Sequence, residues 1–363
     1  MRILLAGDIA SSHLRKWANE LVKAGAEIGI FSLSDSDRSE YAAGIRFYSA
    51  GLPSGLAQKE EASLEKLKYL LHRKKLRKAV KEFRPDILHS HYLTSYGLLG
   101  VLSGFRPFVV SVWGTDIFEF PKRSALHKSL IKYILKKADK VLSTSRYMAD
   151  EVRKYYAGSI GITPFGTDLT RFRPAERQRG DEVRIGLVKK LEPVYGIELF
   201  IEALSELTLK GVSGFKAEIT GDGYLREKLQ ALVKERGLTG IVSFNGFVDN
   251  SVIEKVHQNY SFEVYPSVKE SFGVSAVEAM ACGVPVIVSS DTGLTEVAED
   301  NISGLVFQNG SVSELSAAIE KLITDEELRS RLAAGARKRA EEYFDSGICT
   351  EKMISYYREV LKS

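Results

Sequence analysis

The chain has 363 residues, 44% of them hydrophobic, which exceeds the usual span of one compact core and supplies enough apolar residues for two. No apolar run approaches the length of a bilayer-spanning helix, and Met1 to Leu5 runs straight into a strand-like stretch without a signal-peptide pattern, so no spanning helix and a cytoplasmic address are expected. Cys282 and Cys349 stand far apart without metal-ligand spacing and read as reduced thiols.

A net charge of +4 hides an asymmetry: residues 1–170 carry 27 Lys+Arg against 17 Asp+Glu, leaving 24 against 30 in the remainder. The basic half suits an anionic partner. Its charges concentrate in Lys66 to Lys81 and Lys122 to Lys140. Leu64, Leu67, Leu70, Leu71 and Leu76 give the first of these an apolar stripe, so an anionic membrane surface on the inner face competes with a plain solvated helix. Aromatics are not interleaved on these helices, which argues against nucleic acid.

In chain order, Arg2 to Gly7 reads as a strand, Leu14 to Val22 as an amphipathic helix stopping at Gly25, and Ala26 to Leu33 as the next strand, the βαβ opening of a doubly wound sheet. The dinucleotide and P-loop glycine patterns are absent. Asp35 and Asp37 form a polar turn, and Gly51 to Gly55 reads as a loop. The strand Asp86 to His89 ends at His89-Ser-His91, and the strand Phe108 to Val112 runs into Trp113-Gly-Thr-Asp116. Both ends lie at the carboxyl edge, where ligands of parallel sheets bind, which nominates His89, His91 and Asp116, with a packing role expected for at least one of the two histidines. A helix around Leu126 to Leu135, a strand Lys140 to Ser143 and a Ser145 N-cap follow.

Pro164, Gly166 and the charged stretch to Pro174 mark a domain boundary, with domains expected at 1–166 and 167–345 and a C-terminal helix over 346–363 crossing back to the first. The second series runs strand Val183 to Val188, helix Gly196 to Leu209, strand Phe215 to Thr220, loop Gly221 to Gly223, helix Leu225 to Arg236, strand Val242 to Phe244 and helix Val252 to Tyr260. Strand Phe262 to Tyr265, a loop, a small-residue helix ending at Gly283 and strand Val284 to Ser289 follow. That unit carries Glu270 and Glu278, about 80° apart on a continuous helix, so they converge only if Glu270 lies in the loop and reaches round the helix start. Free N–H groups there suit phosphate, and carboxylates suit sugar hydroxyls.

Pro266-Ser-Val-Lys-Glu270-Ser-Phe-Gly-Val-Ser-Ala-Val-Glu278, with Phe165-Gly-Thr-Asp168, Gly221-Asp-Gly223, Phe244-Asn-Gly246, Gly293, Glu296 and Gly304 in order, resembles the retaining glycosyltransferases of family 4 over nearly the whole chain. The resemblance implies an α/β GT-B fold, two Rossmann-like parallel-sheet domains facing across a cleft. The implied activity moves a hexose from a UDP- or GDP-linked nucleotide sugar to a glycan or lipid-linked acceptor in surface polysaccharide or glycoconjugate assembly, with no metal and no cofactor. A sugar-nucleotide epimerase and a catalytically retired binder are the alternatives.

By position, the resemblance puts Glu270 on the donor hexose and Glu278 on the ribose diol, with Ser271, Phe272, Gly273 and Val274 at the diphosphate and Gly221 and Phe247 among the donor contacts. Lys189 or Lys190 fills the place of a usual Arg, Lys189 preferred by counting from Pro193 and Gly196, and Tyr195 stands where the family usually has Lys. Trp113 stands where many members carry the His that touches the reacting sugar, so Asp116 or His13 is nominated to replace it, with His91 on the acceptor side.

Overall fold

A computed structural model describes residues 1–52, 71–175 and 182–362. Met1–Phe165 with Gly347–Ser363 forms one unit and Gly166–Ser346 the other.

In the first unit, seven strands pair in parallel: β1 (Arg2–Ala6), β2 (Glu27–Ser34), β3 (Arg46–Leu52), β4 (Ile87–His91), β5 (Phe108–Val112), β6 (Lys140–Ser143) and β7 (Ile160–Ile162), in the order β3-β2-β1-β4-β5-β6-β7. Helices cover both faces of the sheet, so every residue of the central strands β4 and β5 is buried, the polar His89, Ser90, His91 and Ser111 included. The stretch expected as a loop at Gly51 begins inside β3, an edge strand whose half-exposed residues hide its pattern; residues 53–55 lie outside the described residues. β7 was not foreseen either: it has three residues and one buried position.

The helix Arg73–Phe83 turns Leu76, Ala79 and Phe83 into the core and its basic side chains to solvent. The apolar face of its described part is therefore spent on the sheet. Leu64, Lys66, Leu67, Lys68 and Leu70 lie outside the described residues, and Leu71 is exposed. Among the described residues, no helix is long and apolar enough to cross a membrane.

The last helix, Ser346–Lys362, is fixed to the first unit by polar contacts as well as by Met353 and Val360. The Tyr357 hydroxyl lies 2.6 Å from His89 Nδ1, the Tyr356 hydroxyl accepts from the Ile162 amide at 3.2 Å, and Glu359 pairs with Lys140 at 2.9 Å.

The second unit is a six-stranded parallel sheet of β8 (Val183–Val188), β9 (Phe215–Thr220), β10 (Val242–Gly246), β11 (Phe262–Tyr265), β12 (Val286–Ser289) and β13 (Gly304–Phe307), ordered β10-β9-β8-β11-β12-β13. Strand order reverses between β8 and β11, which opens a crevice at their carboxyl ends. Ile185, Leu187, Phe262 and Val264 root both strands in one core with Phe200 and Leu204. Within this unit, Thr167 near its start pairs with Asp345 near its end, and the Ser346 amide donates to the Thr167 carbonyl at 3.0 Å.

Candidate active site

Lys189 follows β8 directly and Glu270 lies in the loop after β11, so the reversal of strand order brings together two side chains 81 positions apart. Their Nζ and Oε2 are 2.5 Å apart, and the side chains are only 10% and 13% exposed. The ammonium also lies 4.9 Å from the Tyr195 ring centre and 5.7 Å from that of Tyr265, so aromatic faces share the charge. Burial, then the charges of Glu270 and Glu192, push the Tyr195 phenol up to about 12. Tyr195 is thus a neutral ring beneath a cation at the position where a second lysine was the family expectation. Lys190, the alternative to Lys189, points to solvent.

Glu270 is held from several sides. Ser267 Oγ lies 3.5 Å from Oε2, and the Glu270 carbonyl accepts from the Gly293 amide at 2.8 Å. The helix Val274–Ala281 starts just beyond, and no side chain caps it. Its N-cap, Gly273, has φ +106°, a left-handed conformation that a side chain disfavours, and an added Cβ would lie 2.3 Å from Leu294 Cδ2. Phe272 is buried edge-on against Phe344, so its ring serves the core and only its backbone borders the helix start. Ser271 and Val274 are half-buried there.

Gly221 closes the other side. With φ +139°, it brings the loop so near the end of β8 that an added Cβ would lie 1.9 Å from the Lys189 carbonyl oxygen. Gly221→Ala is expected to cost about 2–3 kcal/mol in the second unit, read as a lower urea midpoint, because the obstacle is backbone and cannot swing aside. An unchanged midpoint would show that this approach is not tight. Phe247, after β10, and Tyr224, after β9, are each 75% exposed aromatics at the same sheet edge; Tyr224 was not singled out from the sequence.

Glu278 sits on the helix with its side chain 15% exposed. Beneath it lies a polar network that sequence reasoning missed. Glu263, fully buried in β11, accepts from Tyr265 Oη at 2.7 Å and is 2.7 Å from His257 Nδ1, while His257 Nε2 is 3.8 Å from Glu278 Oε2. Tyr265 Oη is also 3.1 Å from Ser275 Oγ, which donates to the Val188 carbonyl at 3.1 Å. Burial alone would lower the His257 pKa, but Glu263 and then Glu278 outweigh it and push it up to about 10. A carboxylate inside a strand buried on both faces was the available signal.

In the first unit, the carboxyl ends of β1, β4 and β5 gather an aromatic cluster. His13, in the first turn of the helix Ser12–Lys23, stacks on Phe165 at 4.3 Å, and Trp113 meets His13 at 5.8 Å and His91 at 5.0 Å. His91 is buried and neither ring nitrogen has a hydrogen-bond partner; burial lowers its pKa to about 3. His89 bonds Tyr357 and Ser111, and burial and then His91 hold its pKa well below the ordinary value. Both imidazoles are neutral at pH 7.

The nomination of Asp116 as a reacting-sugar contact is corrected. It is completely buried, and its oxygens accept from the amides of Leu93 at 2.8 Å, Gly114 at 2.8 Å and Trp113 at 3.2 Å. A carboxylate committed to three amides is a turn anchor, and it positions Trp113. Among the described residues, no group of three His, Cys, Asp or Glu side chains is placed to hold a metal ion.

Two family models match: "Glycosyl transferases group 1" over residues 168–339 and "Glycosyl transferase 4-like" over residues 2–145. A relative described as an uncharacterized glycosyltransferase of Methanocaldococcus jannaschii is 27% identical over 299 residues, covering 81% of this chain and 80% of that one. Among solved structures, sucrose-phosphate synthase of Thermosynechococcus elongatus superposes with TM-score 0.85 at 22% identity, over 100% of this chain and 99% of that one. Anabaena HepE in complex with UDP and glucose gives TM-score 0.80 at 18% identity, over 99% and 100%. With both halves matched and two parallel Rossmann-like sheets in series, the chain belongs to the group 1 glycosyltransferases of family 4 and has the GT-B fold.

Proposed function

We propose that the chain is a retaining hexosyltransferase that takes a UDP- or GDP-linked sugar and passes the hexose to a glycan or lipid-linked acceptor without a metal. The observation that carries this reading is the Lys189–Glu270 pair beside the uncapped start of the helix Val274–Ala281. A nucleoside diphosphate leaving group develops negative charge as the C1–O bond breaks. An ammonium and a helix N-terminus are the groups that stabilise it. The acceptor oxygen bonds C1 on the same face, and its proton passes to the leaving phosphate oxygen, so no enzyme nucleophile is required.

In this reading, Glu270 accepts from hexose hydroxyls and Glu278 from the two ribose hydroxyls, the match of a two-oxygen acceptor to adjacent donors. Gly221 and the backbone from Ser271 to Val274 border the diphosphate, and Phe247 offers its exposed face to the base. The aromatic cluster of His13, His91 and Trp113 supplies the acceptor side.

The test is a panel of nucleotide sugars with and without a lipid-linked glycan, followed by nuclear magnetic resonance of the product anomer. Acceptor-dependent nucleotide release with retained configuration supports the proposal. An inverted product overturns the retaining mechanism, donor interconversion without acceptor identifies an epimerase, and binding without turnover identifies a retired binder. Phe247→Ala should weaken nucleotide affinity about 3- to 10-fold by calorimetry; an unchanged affinity removes Phe247 from the base contact.

A further inference from the structure

The buried network under Glu278 has no part in the chemistry above, yet burying a charged group without use is costly. Glu263 has no exposure in β11, so its carboxylate needs a cation or a donor on each oxygen, and it has His257 on one and Tyr265 on the other. His257 is likewise completely buried, between Glu263 at 2.7 Å and Glu278 at 3.8 Å. Its Nε2 has no hydrogen-bond partner. The second imidazole nitrogen thus faces the carboxylate assigned to the ribose.

We propose that His257, held through Nδ1 by Glu263, is a positioning residue that fixes which way the Glu278 carboxylate faces. The inference rests on the reading of Glu278 as the ribose contact. An imidazole bonded through Nδ1 to a carboxylate has its ring plane and tautomer set, and its Nε2–H becomes a directed donor. Among the described residues, the cations near this pair, Arg171 and Arg337, are engaged elsewhere, Arg337 with Glu341 at 2.6 Å. Glu254, on the histidine's own helix, is taken by Arg171 at 2.9 Å, and Cys282 is a thiol that burial, then Glu263 and Glu278, push up to about 12. Arg337 spends its NH1 on the Phe172 and Ala281 carbonyls. His257 therefore couples the buried Glu263 of β11 to the helix that carries Glu278.

The test is ribose discrimination in the full chain. Calorimetry with UDP, GDP and ADP finds the diphosphate the wild type binds, and its 2′-deoxy form is titrated alongside. The variants are Glu278→Gln and the double variant His257→Gln/Glu263→Gln, which removes both buried charges together and so leaves neither alone. The double variant is expected to bind the ribonucleotide about 10-fold more weakly and the deoxy form within about 3-fold of wild type, so that discrimination collapses as it does in Glu278→Gln. A purely structural role would weaken both ligands alike. If Glu278→Gln loses discrimination and the double variant keeps it, the positioning role is overturned while the ribose contact stands. If Glu278→Gln keeps discrimination, or no diphosphate binds, the ribose contact fails and this inference falls with it. Should the double variant not fold, Glu263→Gln alone decides, since it releases the clamp and leaves no unpaired carboxylate; retained discrimination there overturns the proposal.

Discussion

Lys189→Met is expected to lower kcat for sugar transfer by about 10²- to 10³-fold, the scale of removing one preorganised charge from a developing oxyanion, if Lys189 has the role proposed for it. The side chain is 10% exposed and rooted at the end of β8, so its ammonium is in place before any ligand arrives. Removing it has a second effect, because Glu270 loses its 2.5 Å partner and, among the described residues, keeps Ser267 at 3.5 Å. An under-satisfied, largely buried carboxylate costs about 1–3 kcal/mol. Glu270→Gln is milder for stability, since Lys189 retains the faces of Tyr195 and Tyr265. The double variant Lys189→Met/Glu270→Gln should recover most of the lost stability and yet turn over no more slowly than the worse single variant, because the two groups act as a unit. Single-turnover kinetics with denaturant midpoints measures both. A Lys189→Met enzyme within tenfold of wild type would remove Lys189 from the chemistry.

The parallel sheets were legible because their inner strands are written plainly. Phe108 to Val112 and Phe215 to Thr220 are bounded exactly where chain punctuation puts them, and both are observed with those ends. β3 and β7 were not legible, since they lie toward the sheet's two ends and carry mixed or very short patterns. The two glutamates stand out through their spacing. What spacing cannot reveal is a contact across the switch point: the meeting of Lys189 with Glu270 depends on β8 lying beside β11. Asp116 shows the opposite failure. An acidic residue at a carboxyl edge looks available for ligand, and whether backbone amides have already claimed it depends on the turn that only the folded chain displays. Glu263 left a signal as a carboxylate in a buried strand, whereas His257 alone reads as an ordinary helix residue. Their meaning lies in the pairing.

Acid is expected to weaken the first unit and alkali the second. His89 and His91 are neutral when folded and titrate near pH 6.5 when unfolded, so the unfolded chain binds more protons at low pH. Their contribution is complete above pH 6.5 and is lost as pH falls, for His91 until about pH 3. The slope approaches about 1.4 kcal/mol per pH unit for each histidine. His257 has the reverse sign, because its folded pKa is raised to about 10: its contribution is complete below pH 6.5 and is lost as pH rises through 10. The chain's two tryptophans, Trp17 and Trp113, both belong to the first unit, so tryptophan fluorescence follows that unit while far-ultraviolet ellipticity follows both. Urea midpoints by fluorescence should fall as pH drops from 6.5 to 5, and the ellipticity midpoint of the other unit should fall as pH rises from 6.5 to about 10. Carboxylates elsewhere also respond to acid, so His91→Leu isolates the histidine part. Replacing an imidazole that has no hydrogen-bond partner should flatten the acid limb by up to about 1.4 kcal/mol per pH unit. An acid limb unchanged in His91→Leu would mean that this imidazole gains a proton as readily in the fold as in the open chain, and that its burial beside Trp113 is not maintained in solution.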